Sequence, residues 1–269
     1  MKLLVKLGGT LLDADATRER LARQIAAISR AVPRATQIVV VHGGGQQMTR
    51  YLAERDIESQ FVNGLRVTTP AVLDAVVKVV AGSVNRQLVA ALNQAGNQAG
   101  ARAVGISGID GGLIEAAQMD PALGSVGRVT RADPALLDAL LAAGFLPVVA
   151  CVAGDREGRL YNVNADQMAV ACAVAFGADQ LIFLTDVAGV LDAGNSLLPR
   201  LTMARSESLI AAGIATGGML AKLNAAHSAL RQGVPQVRIC AGAEEGVLER
   251  ILAGEDVGTR LALEEVFAG

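Results

Sequence analysis

The sequence of 269 residues predicts an α/β fold, a three-layer αβα sandwich in which helices cover both faces of a central, mostly parallel sheet. Short β-branched apolar runs alternate along the chain with segments whose apolar residues recur at helical spacing, and this alternation is typical of parallel sheets. Thirty glycines without a fixed period indicate many tight turns between these segments. Because aromatic residues are only 3% of the chain and apolar residues are 52%, we expect a core of Ala, Val, Leu and Ile.

The predicted elements succeed one another without a linker-like segment, so we expect a single domain over 1–269. The expected strands are 2–7, 38–41, 103–106, 113–118, 126–130, 180–184 and 236–240, with a hairpin over 153–162. The first expected helix has Leu21, Ile25 and Ile28 on one face and is stopped by Pro33, and the second contains Met48 and Leu52. Four further helices are expected over 71–95, 165–176, 216–232 and about 244–253.

Charge and hydropathy argue against several classes of function. The net charge is −2 at pH 7 with both signs scattered, so no basic stripe indicates a nucleic-acid partner. The charge-poor segment 139–154 is broken by Gly144 and Pro147, and it is shorter than the ~20 residues of a spanning helix. Without a signal-peptide pattern or paired cysteine spacing, we expect a cytoplasmic protein with free thiols and neither a membrane partner nor a metal site.

Lysine is rare, since only four of the 24 basic residues are Lys. Lys6 lies inside an apolar strand, immediately before Gly8-Gly9. A buried, unpaired ammonium is unfavourable, so Lys6 either reaches the sheet edge or a structural carboxylate, or projects towards an anionic group that is transferred. Lys222 lies one turn into a helix that opens at Gly217-Gly218, where a compact point charge would also suit an anion.

Glycine turns come after two consecutive predicted strands, at Gly8-Gly9 and at Gly43-Gly44-Gly45. Ligands of parallel sheets bind at the carboxyl ends of strands, where glycine lets the backbone approach a phosphate or carboxylate. Two ordinary tight turns are the alternative. The sequence has neither a G-x-G-x-x-G motif nor a Gly-Lys pair, so a phosphate would be bound by a different device from the Rossmann or Walker motif.

Three further segments carry candidate site residues. Asp166 opens a helix, where it either complements the helix dipole or positions the two lysines. Arg66 stands in a loop, where it either forms a surface ion pair or offers a bidentate fork to a carboxylate. The segment 185–191 comes after a buried strand and predicts another ligand loop.

Six motifs carry a resemblance to a known family. They occur in the order VKLGGTLL, VVVHGGG, NGLRVT, NVNADQ, LTDVAGVL and TGGMLAKLNAA, and they extend from Lys6 to Asn224. Together they resemble the amino acid kinase superfamily, and the pair NGLRVT and NVNADQ favours its acetylglutamate kinase branch. The resemblance implies the amino acid kinase-like variant of the predicted sandwich. It also implies ATP-dependent phosphorylation of the side-chain carboxylate of N-acetyl-L-glutamate in arginine biosynthesis, with Mg²⁺ bound mainly through ATP.

The motifs also imply residue roles. Lys6 and Lys222 would stabilise charge on the transferred phosphoryl group, and Asp166 would hold and orient both lysines. Substrate binding is assigned to Gly44, Gly45, Arg66 and Asn162. Phosphate and ATP binding is assigned to Gly8, Gly9, Asp186, Val187, Gly189, Leu191, Ile214 and Thr216. No general base is required because the attacking carboxylate is already ionised near pH 7, so His42 would be a wall residue and His227 an ordinary helix residue.

The resemblance divides the chain into an N-lobe, 1–177, for the amino-acid substrate and dimerisation, and a C-lobe, 178–269, for ATP. Arginine-inhibited members carry an N-terminal helical extension, whereas this sequence starts at its first strand, so we expect an arginine-insensitive homodimer. Two alternatives stay open. One is a related kinase acting on carrier-linked aminoadipate or glutamate, and the other is a non-catalytic nucleotide or amino-acid sensor.

Overall fold

The structure is a computed structural model that describes residues 1–29, 36–97 and 101–263. Its strands are β1 Lys2–Leu7, β2 Gln37–His42, β3 Phe61–Val62, β4 Leu65–Arg66, β5 Arg102–Ser107, β6 Ile114–Gln118, β7 Val126–Ala132, β8 Phe145–Ala150, β9 Val152–Gly154, β10 Leu160–Val163, β11 Gln180–Thr185, β12 Arg200–Thr202, β13 Gln236–Ala241 and β14 Thr259–Ala262. Its α-helices are α1 Asp15–Ile28, α2 Gly45–Ala53, α3 Pro70–Val76, α4 Asn85–Gly96, α5 Ala135–Ala142, α6 Ala165–Phe176, α7 Met203–Ala211, α8 Gly217–Arg231 and α9 Val247–Leu252.

The main sheet has eight strands in the order β12-β14-β13-β11-β1-β2-β8-β5. Neighbouring strands are parallel except for the pair β13 and β14. One set of helices, α6 and α8, packs on the central strands, and a second set, α1, α4 and α9, packs together and reaches β5 and β8 through α4. The predicted fold class is therefore confirmed.

The central strands end level with one another, and this register places the loops that leave them. Leu7 of β1 lies opposite His42 of β2 on one side and opposite Leu184 of β11 on the other. All three strands run in the same direction, so the turns that start at Gly8, Gly43 and Asp186 leave the same edge of the sheet.

A second, small sheet is a closed barrel of β10, β7, β6 and β9. The two strands predicted over 113–118 and 126–130 are present as the antiparallel pair β6 and β7, and the predicted hairpin is confirmed by the antiparallel pair β9 and β10. The sequence did not predict the closure, because it depends on parallel pairing between distant segments, such as Asn162 with Val126. The chain after β4 also pairs with the barrel, since Thr68 forms a parallel β-bridge with Gly124 in the loop between β6 and β7.

The long helix predicted over 71–95 extends from Pro70 to Gly96 and contains a π-helical segment, Val77–Val84, between α3 and α4. Its length and composition would allow it to cross a membrane, and 44% of its most apolar window is buried inside the fold. The helix packs against α1 and β5, so it acts here as a core helix.

The remaining differences concern helix ends and short elements. The helix predicted to stop at Pro33 has Ile28 as its last residue, and Pro33 lies outside the described residues. The helix predicted over about 244–253 starts later, at Val247, after Gly246 in the left-handed region. The short elements β12, α7 and β14 at one side of the sheet were not predicted.

Candidate active site

Lys6 and Asp166 form a buried ion pair at the carboxyl edge of the sheet. Lys6 is the penultimate residue of β1, and its Nζ lies 2.6 Å from Oδ1 of Asp166, with side chains 9% and 11% exposed. Asp166 is the second residue of α6, where the Oδ1 of Asn164 accepts hydrogen bonds from the backbone amides of Asp166 and Gln167. Of the alternatives for Lys6, the structure shows pairing with this fixed carboxylate.

The two glycine turns predicted to bind a phosphate meet in space. A Cβ atom added to Gly9 would lie 3.0 Å from the backbone nitrogen of Gly45 and 3.8 Å from that of Gly44. Gly8 is held to β11 by a hydrogen bond from its amide to the Leu184 carbonyl, 2.8 Å long. The amides of Gly9 and Gly44 donate to no acceptor on the described residues. Together with the N-terminus of α2 at Gly45, they form a set of unused donors suited to an anion.

A cleft of about 160 Å³ adjoins these turns. Its lining includes the four predicted substrate-binding residues, so the structure brings these together: Gly44, Gly45, Arg66 and Asn162. The same lining contains the side chains of Met48, Val76 and Val80, together with Cys151. Apolar walls with a few polar groups at one end are typical of a small-molecule site.

Arg66 is buried at one end of the cleft, and its partners are neutral. Its guanidinium donates to Oγ1 of Thr49 at 2.8 Å, to the Gly45 carbonyl at 3.3 Å and to the Ser59 hydroxyl, and it lies 4.5 Å from the centre of the Phe61 ring. Burial lowers the pKa of Arg66 from its usual value. No ion pair joins it to a carboxylate of the described residues, so its charge is available to an anionic ligand.

The chain after Arg66 is tied to the barrel, which fixes the opposite wall of the cleft. Asn162 donates from Nδ2 to Oγ1 of Thr68 at 3.1 Å, and that hydroxyl donates to the Arg66 carbonyl at 2.8 Å. The backbone amide of Asn162 also donates to the Ser125 carbonyl. The separation between Arg66 and Asn162 is therefore set by buried hydrogen bonds.

The predicted nucleotide residues lie in two loops at the other side of β1. Asp186, Val187, Gly189 and Leu191 come after β11, and Val190 donates its amide to Oγ1 of Thr259 at 2.8 Å. Ile214 and Thr216 lie between α7 and α8. Val187, Leu191 and Ile214 are exposed apolar side chains, and such groups at a strand-end edge suit a flat apolar ligand.

Lys222 is partly buried on α8, where its Nζ donates to the Gly218 carbonyl of the same helix at 3.4 Å. Helix α8 packs against α6, which carries Asp166 near its N-terminus. Within the part of the chain that the structure describes, no ion pair joins Lys222 to Asp166, which is paired with Lys6 instead. The joint positioning of both lysines by Asp166 stays a prediction.

A buried polar pair that the sequence did not predict lies behind the glycine turns. His42 is fully buried and is not part of the cleft wall, and its Nε2 lies 2.9 Å from Nδ2 of Asn85, which is also fully buried. Desolvation, with a smaller contribution from the charge of Arg86, lowers the pKa of His42 to about 4. Asn85 stands among the polar residues Ser83, Arg86 and Gln87, so no local signal in the sequence indicated this pair.

We expect Asp166→Ala to lower the free energy of unfolding by about 3–5 kcal/mol, because it leaves a buried ammonium without its partner. The double variant Lys6→Met/Asp166→Ala should lose less than the sum of the two single variants, as measured by urea denaturation. Asp74→Ala is the control, since both side chains of the Asp74–Lys78 pair are exposed and the change should alter stability by less than about 1 kcal/mol. Additive losses in the double variant would argue against a coupled pair.

We expect the protein to lose stability as the pH falls from about 6.5 to about 4, in part through His42. The unfolded chain takes up the proton near pH 6.5, whereas the folded protein resists it until about pH 4, which corresponds to roughly 3 kcal/mol. Urea denaturation across this range should show a shallower loss for His42→Asn than for the wild type. His227→Gln is measured in parallel, because burial also lowers the pKa of His227 and its separate contribution to the pH profile must be known. Parallel pH profiles for the wild type and His42→Asn would contradict this account.

Comparison with known proteins places this site in a family. The profile of the amino acid kinase family matches residues 1–241. The acetylglutamate kinase of Solibacter usitatus (strain Ellin6076) is 66% identical over 261 residues, covering 97% of this chain and 99% of that protein. The acetylglutamate kinase of Geobacillus thermodenitrificans (strain NG80-2) is 41% identical over 264 residues, with coverage of 96% and 98%.

Solved structures agree with the sequence comparison. The N-acetylglutamate synthase from Neisseria gonorrhoeae, complexed with coenzyme A and N-acetyl-glutamate, matches with a TM-score of 0.85 at 26% identity. The match covers 98% of this chain and 59% of the synthase. From its profile match, its close relatives and its fold, this chain belongs to the amino acid kinase family.

Proposed function

We propose that this chain catalyses the ATP-dependent phosphorylation of the side-chain carboxylate of N-acetyl-L-glutamate, which yields N-acetyl-L-glutamyl 5-phosphate for arginine biosynthesis. The observation that carries this proposal is the buried Lys6–Asp166 pair, which lies beside two glycine turns with unused amides. The cleft with Arg66 at one end adjoins those turns. The full-length similarity to acetylglutamate kinases supports this acceptor over others.

The acceptor binds in the cleft, with its α-carboxylate on the Arg66 guanidinium and its amide near Asn162. Its side-chain carboxylate is ionised near pH 7, so no residue has to remove a proton. A carboxylate oxygen forms the new bond to the γ-phosphorus while the bond to the leaving oxygen of ADP breaks. The chain contributes positioning and charge neutralisation, which are the main requirements of phosphoryl transfer.

Lys6 neutralises charge on the transferred group from its fixed position beside Asp166. The amides of Gly9 and Gly44, which have no acceptor on the described residues, surround the same phosphate oxygens. The predicted contribution of the Gly8 amide is wrong, because that amide donates to the Leu184 carbonyl. Lys222 reaches the phosphates from α8 when the nucleotide is bound. Its side chain is partly buried and is held by one long hydrogen bond to its own helix, so a change of rotamer is enough to release it.

MgATP is the co-substrate, with the nucleotide between the two loops that carry Asp186–Leu191 and Ile214–Thr216. The described residues contain no group of three or more His, Cys, Asp or Glu side chains placed to ligate a metal. The family resemblance implies that Mg²⁺ is held mainly through the phosphate oxygens of ATP. On this proposal the lobe over 1–177 binds the amino acid and the lobe over 178–269 binds the nucleotide.

We also propose that the protein is a cytoplasmic homodimer whose partners are small molecules rather than nucleic acid or membrane. The support is the family resemblance and the near-neutral net charge of −2. Sedimentation equilibrium tests the assembly, with twice the chain mass of 27.6 kDa as the expected result.

A hydroxamate assay tests the proposed function directly, because hydroxylamine traps acyl phosphates. The purified protein is given MgATP and, in separate reactions, N-acetylglutamate, aspartate, glutamate, carbamate or a carrier-linked glutamate. We expect product with N-acetylglutamate at a kcat/KM far above the others. A preference for the carrier-linked acceptor, or no product with any acceptor, would overturn the proposal in favour of the related kinase or the sensor.

We expect Lys6→Met and Lys222→Met each to lower kcat by about 10²–10³, the usual effect of removing one group that stabilises developing charge. Steady-state kinetics with acetylglutamate measure this. Lys78→Met is the matched control, since the Lys78–Asp74 pair is exposed on the helix surface, and its kcat should not change. A near-normal kcat in either of the first two variants would remove that lysine from the mechanism.

We expect Arg66→Lys to raise the KM for acetylglutamate by about tenfold to hundredfold, because an ammonium cannot reproduce the two parallel hydrogen bonds of the guanidinium. The KM for ATP should change little. Arg55→Lys is the control, since Arg55 is exposed and lies on the partly buried ring of Tyr51, away from the cleft lining. If the KM for acetylglutamate is unchanged in Arg66→Lys, the α-carboxylate binds elsewhere.

A further inference from the structure

A fully buried hydrogen-bond chain lies directly behind the Gly43–Gly45 turn. It starts at Nδ1 of His42, which lies 2.8 Å from the Gly43 carbonyl oxygen. It continues through Nε2 of His42, which lies 2.9 Å from Nδ2 of Asn85. Both side chains are 0% exposed, and neither belongs to the cleft lining. These two residues therefore cannot touch a bound ligand.

The partners of this chain assign every hydrogen in it. A carbonyl oxygen only accepts, so Nδ1 of His42 carries the hydrogen and Nε2 is left to accept from Asn85. Nδ2 of Asn85 also donates to the Val148 carbonyl at 3.0 Å, and its Oδ1 accepts from the Arg86 guanidinium. The complete burial of His42 keeps the ring neutral. The chain is thus fully satisfied and has one orientation.

The orientation of the Gly43 carbonyl determines the direction of the next amide. A trans peptide is planar, so the C=O of Gly43 and the N–H of Gly44 point in opposite directions. The carbonyl is held back towards His42, and the amide therefore points away from it. That amide has no acceptor on the described residues, and Gly44 lines the cleft.

The helix behind the Gly43–Gly45 turn places Asn85 next to His42. The π-helical segment Val77–Val84 ends just before Asn85, and each residue that it adds rotates the rest of the helix by about 100° relative to a plain α-helix. Val80 and Val84 of the same segment would lie 3.3 and 3.2 Å from a Cβ on Gly44. The segment thus packs directly against the turn that it supports.

We propose that His42 and Asn85 are positioning residues that aim the Gly44 amide at the anion bound in the cleft. They act through the Gly43 carbonyl and are not catalytic residues. The identity of that anion, the phosphoryl group in transfer, rests on the proposed function. The aim of the amide itself rests only on the hydrogen bonds and burial described above.

Two substitutions of His42 separate the two ends of its ring. In His42→Asn the amide nitrogen lies near the place of Nδ1 and can still donate to the Gly43 carbonyl. In His42→Gln the longer side chain reaches the place of Nε2 and keeps the contact with Asn85 only. If His42 had only a structural role, the kcat of each variant would follow its stability. Thermal unfolding of both variants is therefore measured alongside the kinetics.

We expect His42→Asn to keep a kcat at least about tenfold above that of His42→Gln, since loss of one such donor costs about 10²–10³. The KM for ATP should be the same in both, and the difference in kcat should exceed any difference in melting temperature. Equal kcat values in the two variants, or values that track their stability, would overturn the proposal.

A second measurement is independent of turnover. In protein labelled with ¹⁵N-histidine, His42 should appear as the neutral ring with hydrogen on Nδ1 at pH 7, with His227→Gln used to assign the signals. The other neutral ring form, or a charged ring at pH 7, would overturn the inference whatever the activity. If the Nδ1–H form is found but the wild type gives no acyl phosphate, the proposed function fails while the positioning of the amide stands.

Discussion

The ion pair between Lys6 and Asp166 is the interaction on which the rest of the site depends. A buried ammonium is unfavourable in a core made almost entirely of aliphatic side chains unless a carboxylate faces it at close range. The Nζ–Oδ1 distance of 2.6 Å meets that requirement, and the Asn164 cap fixes the first turn of the helix that carries Asp166. The pairing joins β1 to α6 and fixes the Lys6 ammonium at the strand end where the glycine turns begin.

The register of the sheet places the two glycine turns beside the Lys6 ammonium. Because Leu7, His42 and Leu184 lie level, the Gly8-Gly9 and Gly43–Gly45 turns approach so closely that a side chain on Gly9 would meet the backbone of Gly45. In this arrangement the backbone amides of Gly9 and Gly44 have no hydrogen-bond acceptor on the described residues. The barrel places Asn162 and the chain after Arg66 on the far side of the cleft through buried hydrogen bonds. Anion binding thus comes from residues that are far apart in sequence.

Much of this could be predicted from local patterns. Continuous apolar runs indicated β1, β2, β11 and β13, and glycine with isolated charges indicated Lys6, Arg66 and the turns. Long-range pairing could not be predicted, since the barrel closes through parallel contacts between β7 and β10. The π-helical segment leaves the apolar pattern of its helix almost unchanged, so the sequence indicated one regular helix. The His42–Asn85 pair joins positions 43 residues apart, and nothing local marks either residue as the other's partner.

In the proposed mechanism the paired ammonium of Lys6 lies where the phosphoryl group is most highly charged, and the affinity for a transition-state analogue measures this most directly. ADP with aluminium fluoride, in the presence of N-acetylglutamate, imitates the phosphoryl group in transfer, and calorimetry gives its affinity. We expect tight binding by the wild type and a loss of about 10²-fold or more in Lys6→Met, with the affinity for N-acetylglutamate alone unchanged. Equal affinity of the wild type and Lys6→Met for the analogue would contradict the account.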